Sequence, residues 1–412
     1  MKIHLPQYDC HLSYCMNVHP GNSWQEHFAA IKTCVPKIRK QLLAKEESFG
    51  LGMRLSAQAA KTLLEQAQEI ETLHEFFRAE NLYPFTINVF PYGEFHQGGI
   101  KKKVYLPDWA SPERLQYTLQ VARILAKILP PGLDYGTLSS MPIGYRDALN
   151  AKQFPQILDN LNELILQLQK LEQDTGRLIK VGLEPEPDCL LDSTASICRF
   201  FCEQFRRHCK LPIEVQNRYL GICLDTCHLA VLYESPAECL QKLRQNQIPV
   251  VKIHLSAAPV FSAKQLPAAK AFVDPVYLHQ STVKILPEDA TIRRFADLPD
   301  ALTFAKAQPA CELRTHFHIP LACPDSTELR STFSELGSDF VRELQLSAVR
   351  HLEVETYTFA VLPPHLRQQP LEVSIAQDLA CARNFFFNHE KHELARKKIM
   401  ESVTYESSTS FP

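Results

Sequence analysis

Four apolar runs in this 412-residue chain end on, or are interrupted by, side chains able to bind a cation or move a proton. The first, KVGLEPEP, stops at Glu184, with Glu186 two residues on and so on the same side of an extended strand. The second, GICLDTCH, delivers Asp225 with His228 three residues later. The third, VVKIHLSAA, carries His254 with Lys252 on the same side, and the fourth, HLEVETYTF, offers Glu353 and Glu355 in register. Carboxylates and imidazoles are costly to bury unless paired or metal-bound. Brought together, three carboxylates and one imidazole make an oxygen-rich donor set suited to one divalent ion, Mn²⁺, Mg²⁺ or Zn²⁺. The ligands so read are Glu184, Asp225, His254 and Glu355. Glu186 and Glu353 stay open as alternates, because a period of two cannot separate residues two apart.

These side chains meet only if their strands lie side by side with like ends together. Short apolar runs alternating with helical periodicity predict such an arrangement, repeated βα units around a parallel sheet. Eight strands are expected: His11 to Val18, Gly50 to Leu55, Pro84 to Phe90, Gly136 to Met141, Lys180 to Glu186, Gly221 to Asp225, Val250 to Leu255 and His351 to Thr356. Between them lie amphipathic stretches such as Ala57 to Ala79, Pro112 to Ile128, Phe154 to Gln173 and Ser193 to Arg207. The reading is one α/β domain, a (β/α)8 TIM barrel over residues 1–396, with a polar tail over 397–412. Barrel enzymes build their sites at the C-terminal ends of the strands, which is where the four ligands fall. Roughly a hundred residues separate the seventh strand from the eighth, where about thirty per unit are expected. This insertion, about 259–325, opens at the catalytic face and should cover or line the pocket.

Composition narrows the function. Lys and Arg total 44 against 46 Asp and Glu, a formal charge of −2, so no basic surface for nucleic acid is expected. The run Lys101-Lys102-Lys103 reads as a solvated loop. Thirteen cysteines scattered behind an N-terminus without an apolar signal region point to a reducing, cytoplasmic setting. No stretch approaches the roughly 18 consecutive apolar residues of a membrane-spanning helix. Cys189 and Cys227 sit near the acidic motifs, but no CxxC pair or Gly-rich phosphate loop is present.

The residues resemble the xylose-isomerase-like superfamily of sugar-phosphate isomerases and epimerases, in which a Glu, an Asp within Asp-x-x-His, a His and a Glu on strands five to eight hold one divalent ion. Asp225-Thr226-Cys227-His228 matches that motif. More narrowly, YCMNVHPGNSW, NVFPYGEFHQG, VYLPDW, GLEPEPDC, CLDTCHLAV, RTHFHIPL and HLEVETYTFAVLPP resemble the EboE-type metabolite traffic proteins, encoded in a gene cluster of cyanobacteria and other bacteria. The resemblance implies a barrel that moves or processes a small polar metabolite in a biosynthesis or export pathway, with other products of the cluster as partners. For an isomerase or epimerase it implies that the ion stabilises an enediolate, that Glu184 and Glu355 transfer the proton, and that His228 contacts a substrate hydroxyl. His19, His96, His316 and His318, with Lys252 and Arg314, are assigned to substrate; His316 and His318 could instead hold a second ion, as in barrels resembling endonuclease IV. The rival functions are therefore a di- or trinuclear metal hydrolase of that type and a non-catalytic metabolite carrier or assembly component.

Overall fold

The computed structural model describes residues 1–96, 99, 101–286 and 291–408, with the backbone alone for 390–408. Eight parallel strands surround one axis: β1 (Asp9–Tyr14), β2 (Phe49–Arg54), β3 (Leu82–Asn88), β4 (Gly136–Ser140), β5 (Ile179–Leu183), β6 (Leu220–Asp225), β7 (Val250–Leu255) and β8 (His351–Val354). Each pairs with its successor from β2 to β8, and β8 pairs with β1, so the chain is a (β/α)8 barrel. The seam between β1 and β2 is thin, carried by a bridge from Cys15 to Gly52 and by the Gly52 N–H donating to Ser13 Oγ at 2.9 Å. A short strand, Lys2–His4, lies antiparallel on β1.

The outer helices follow their apolar stripes and their caps. Trp24–Leu42 starts on a capping box between Ser23 and Glu26, Pro112–Ile128 starts on its proline, and Phe154–Thr175 ends where Gly176 turns left-handed at φ 67°. Leu161, Leu164 and Leu168 are the buried stripe of the last of these. Two expected helices are broken. The stretch 57–79 divides at Gln66 into Ala57–Glu65 and Ala67–Ala79, and 193–207 passes through a π turn, Phe200–Phe205, in which Phe200, Phe201 and Phe205 are all buried.

The insertion after β7 has a sheet of its own. Five antiparallel strands run in the order Ile292–Phe295, Ser281–Ile285, Cys311–Thr315, Pro259–Ser262, Arg330–Ser331. Its first and last strands pair, Val260 with Arg330, so it closes at residue 331 and not near 325. Phe261, Phe272, Val283, Leu313 and Phe317 belong to the same apolar core as the barrel. The helix Leu371–Ser408 runs through the expected tail boundary at 397, and residues 409–412 lie outside the described residues.

Candidate active site

The strand ends deliver the acidic residues in two storeys. In the upper one, Glu184 follows β5, Asp225 ends β6, His254 lies in β7 and Glu355 follows β8; one ligand atom from each lies within 4.8 Å of the others. All four are at most 5% exposed. His254 Nδ1 stands 2.7 Å from Glu184 Oε1, 3.2 Å from Glu355 Oε2 and 3.9 Å from Asp225 Oδ2. Around this cluster the supports are specific. Asn17 Nδ2 donates to Glu355 Oε1 at 2.8 Å, Ser256 Oγ donates to Asp225 Oδ1 at 2.7 Å, and the His228 N–H caps Asp225 Oδ1 at 2.9 Å. Asp225 Oδ2 is buried without a hydrogen-bond partner.

The lower storey holds Lys252 and Glu353, fully buried and ion-paired, with Lys252 Nζ donating to Ser139 Oγ at 3.0 Å. Glu353 Oε2 faces His254 Nε2 at 3.3 Å. The two members of the strand-eight doublet therefore differ in height: residues two apart on a strand share a face but stand about 6.6 Å apart along it. Glu186 diverges from Glu184 in a different way. It turns outward, accepting from the Tyr105 hydroxyl at 2.6 Å and from Gln280 Nε2 at 3.3 Å.

Electrostatics follow from this crowding. Burial pushes the Glu184 carboxyl up, with Glu355 adding to the shift and His254 opposing it. Burial would depress His254, but Cys223, Glu184 and Glu355 outweigh it and hold the imidazole well above its ordinary range. Burial raises Glu186 to about 7. The thiols of Cys189 and Cys227 are pushed well up by burial, so neither is a thiolate nucleophile.

A cavity opens above the cluster. Glu184, Glu186, His228, His316 and Glu355 form its polar floor, while Phe90, Phe95, Tyr105 and Tyr357 from the barrel loops and Tyr277 from the insertion wall it. His318 lies just behind, and the ligand nitrogens of His228, His316 and His318 come within 4.8 Å of one another.

Of the residues assigned to substrate only His316 lines this cavity, and four others besides His318 are engaged elsewhere. Lys252 is engaged by Glu353 one storey down. Arg314 is held by Glu335 at 2.7 Å and Glu312 at 3.0 Å, and donates to Ala230 O. His19 Nε2 is hydrogen-bonded to the Tyr14 hydroxyl at 3.0 Å. His96 bridges loops, its Nε2–H donating to Asn17 O at 2.7 Å while Nδ1 accepts from the Tyr277 hydroxyl at 2.6 Å, and so positions the residue that holds Glu355. Conversely, Asn17, Ser256, Tyr105, Tyr277, Gln280 and Tyr357 were not singled out from the sequence. Ser256 and Tyr357 continue the period of two beyond His254 and Glu355, a usable signal; Tyr277 and Gln280 lie in the insertion, where no periodicity points inward.

No protein-family model matches the sequence, and no curated protein does. Solved structures are similar over most of this chain, at TM-scores below 0.5. A D-tagatose 3-epimerase-like protein is 13% identical with a TM-score of 0.47, covering 94% of this chain and 99% of that chain. A xylose isomerase domain protein from Planctomyces limnophilus is 11% identical with a TM-score of 0.44, covering 83% and 88%. The IolI protein with a bound zinc atom is 10% identical with a TM-score of 0.46, covering 92% and 99%. Among the described residues no helix is long and apolar enough to cross a membrane.

Proposed function

We propose that the chain is a metal-dependent isomerase- or epimerase-like barrel that acts on a small polar metabolite, in the cytoplasmic biosynthesis or export setting implied by its EboE-type segments. One observation carries the metal. Three carboxylates are buried around a single imidazole nitrogen, Asp225 Oδ2 has no hydrogen-bond partner, and the nearest buried lysine, Lys252, is committed to Glu353. Three buried carboxylates exceed the one positive charge that His254 can carry, and Glu184, Asp225, His254 through Nδ1 and Glu355 offer the donors for a cation. Glu353 fits as the carboxylate behind the imidazole that fixes which nitrogen faces the ion.

A divalent ion held there would polarise adjacent substrate oxygens and stabilise the negative charge that develops when a carbon-bound proton is removed. The chain's own groups do the rest. Glu184 and Glu355, both on the cavity floor, take the proton from one face and return it. Asn17 keeps one Glu355 oxygen occupied, so the other is aimed at the centre. His228, also on the floor, meets a substrate hydroxyl. Phe90, Phe95 and Tyr357 limit water.

The test is turnover of sugars, polyols and keto sugars by protein loaded with Mn²⁺, Mg²⁺ or Zn²⁺. Glu184→Gln and Glu355→Gln are each expected to lower turnover by roughly 10²–10⁴-fold while leaving the circular dichroism spectrum unchanged. Retained activity in either variant removes that residue from the mechanism. Tight binding of a metabolite without any conversion would mark a carrier. A hydrolase reading draws support from the adjacent histidine trio, and turnover of phosphate esters in place of isomerisation would favour it.

A further inference from the structure

The cavity above the acidic cluster is polar at its floor and apolar at its walls. On the floor, Glu184 and Glu355 belong to the cation set, and Asn17 Nδ2 is engaged by Glu355. His228 and His316 face each other, their Nε2 atoms 3.0 Å apart. Glu186 accepts through Oε1 from the Tyr105 hydroxyl and Gln280, while its Oε2 receives no hydrogen bond among the described residues. The floor therefore offers a ligand the open positions of an ion, one carboxylate oxygen and the edge of an imidazole.

The walls offer little that is polar. Phe90 and Phe95 carry no polar side-chain atom, and the hydroxyls of the wall tyrosines are in use. That of Tyr105 donates to Glu186 Oε1 at 2.6 Å and accepts from Gln280 Nε2 at 2.8 Å. That of Tyr277 donates to His96 Nδ1 at 2.6 Å, and that of Tyr357 stands 3.4 Å from His316 Nε2. Lys101, also on the lining, is paired with Asp297 at 2.7 Å. The rings are held in place by their neighbours. Tyr357 meets Tyr277 edge-on with centroids 5.3 Å apart, Phe90 meets Tyr105 likewise at 5.9 Å, and the buried guanidinium of Arg54 lies 4.8 Å over Phe95. This apolar surface begins at the floor itself, for Tyr357 stands two residues beyond Glu355 and the Tyr105 hydroxyl rests on Glu186.

A hydroxyl moved from water to such a wall loses its partners and gains none, whereas a hydrocarbon ring gains by the same burial. A free sugar or linear polyol carries an oxygen on every carbon and would turn several of them to the walls. We propose that the substrate is polar at one end only: two adjacent oxygens, as in an α-hydroxyketone, joined directly to an apolar body, aromatic or unsaturated hydrocarbon, that lies against the rings of Phe90, Phe95 and Tyr357. The inference rests on the preceding reading for the ion and the paired oxygens, and on the walls alone for the body.

Two α-hydroxyketones that differ only in the body test it. Calorimetric titration of the full chain loaded with Mn²⁺ should find 2-hydroxyacetophenone, with its phenyl ring, bound about 10–100-fold more tightly than hydroxyacetone, with its methyl group. D-Fructose should bind no more tightly than hydroxyacetone. Phe90→Ser should shrink the ratio of the two ketone affinities, and Phe90→Leu, which keeps the wall apolar, should retain most of it. The wild-type ratio is decisive without either variant. Equal affinity for the two ketones, or D-fructose bound more tightly than 2-hydroxyacetophenone, would overturn the apolar body, and turnover of keto sugars alongside that result would leave the isomerase reading standing. A phenyl preference in protein that converts neither hydroxyketones nor keto sugars would instead keep the apolar body and sink the isomerase reading.

Discussion

The barrel encloses two acidic storeys that differ in charge accounting. In the lower storey one carboxylate, Glu353, meets one ammonium, Lys252, with Ser139 completing the contact and no solvent reaching either charge. That storey is balanced in charge within the chain. In the upper storey Glu184, Asp225 and Glu355 surround His254 with no lysine or arginine among them, and an oxygen of Asp225 is left over. Burying charge is expensive in both places; the lower storey matches one carboxylate with one ammonium, whereas in the upper one His254 alone faces three carboxylates. The contrast teaches where to look for function: burial and acidity are common to both storeys, and the missing cation distinguishes the one built for a ligand.

Breaking the lower balance should give the larger stability effect. Lys252→Met strands Glu353 in the barrel interior and is expected to cost about 3–5 kcal/mol in denaturant unfolding. Lys252→Met with Glu353→Leu removes both charges and should recover most of that loss, at the expense of roughly 10–100-fold in metal affinity because His254 loses the carboxylate behind it. A single variant as stable as wild type would mean that Glu353 is neutral or solvated and that the comparison fails. Gly52→Ala probes the same storey from its wall. A Cβ there would stand 1.5 Å from Glu353 Oε1 and 2.9 Å from Tyr14 O, so the carboxylate must leave its place. The expected loss is roughly 1–3 kcal/mol, and an unchanged midpoint would show that Glu353 is not fixed against β2.

The strands and their inner faces were legible in the sequence, but the contrast between the storeys was not: Lys252 was assigned to substrate and Glu353 was left as an alternate ligand. All eight strands fall where their apolar runs are, with ends displaced by a few residues where the chain turns early. The run His11 to Val18, for example, stops as a strand at Tyr14 because Met16–Val18 coils into a 3₁₀ turn that aims Asn17 at Glu355. A period of two puts Lys252 and His254, or Glu353 and Glu355, on the inner face, but it carries no information about height. The storey of each residue is set by stagger between neighbouring strands, such as His254 beside both Asp225 and Glu353. Gln280 was invisible for a different reason. Its partners Tyr105 and Glu186 are 175 and 94 residues away, and the insertion that brings it there folds as an irregular sheet whose inward face no local pattern marks.

Asp378 offers the mildest probe, a buried carboxylate with neither a lysine nor a metal cluster. It lies in the helix Leu371–Ser408, is 1% exposed, accepts from the Ala322 N–H at 3.0 Å and faces the thiols of Cys323 and Cys381. Burial raises its carboxyl to about 7, the backbone donors of Ala322 and Leu321 opposing. The folded-state value is above the unfolded one, so the folded chain keeps a proton that the unfolded chain releases between about pH 4 and pH 7. Stability therefore falls as pH rises through that window, by at most about 1.4 kcal/mol per pH unit. Asp378→Asn has no proton to lose. Thermal unfolding should find it level with wild type near pH 4.5 and more stable by about 3 kcal/mol at pH 7.5. A difference that does not change with pH would show that Asp378 finds a cation after all, placing it with Glu353 and not with the upper storey.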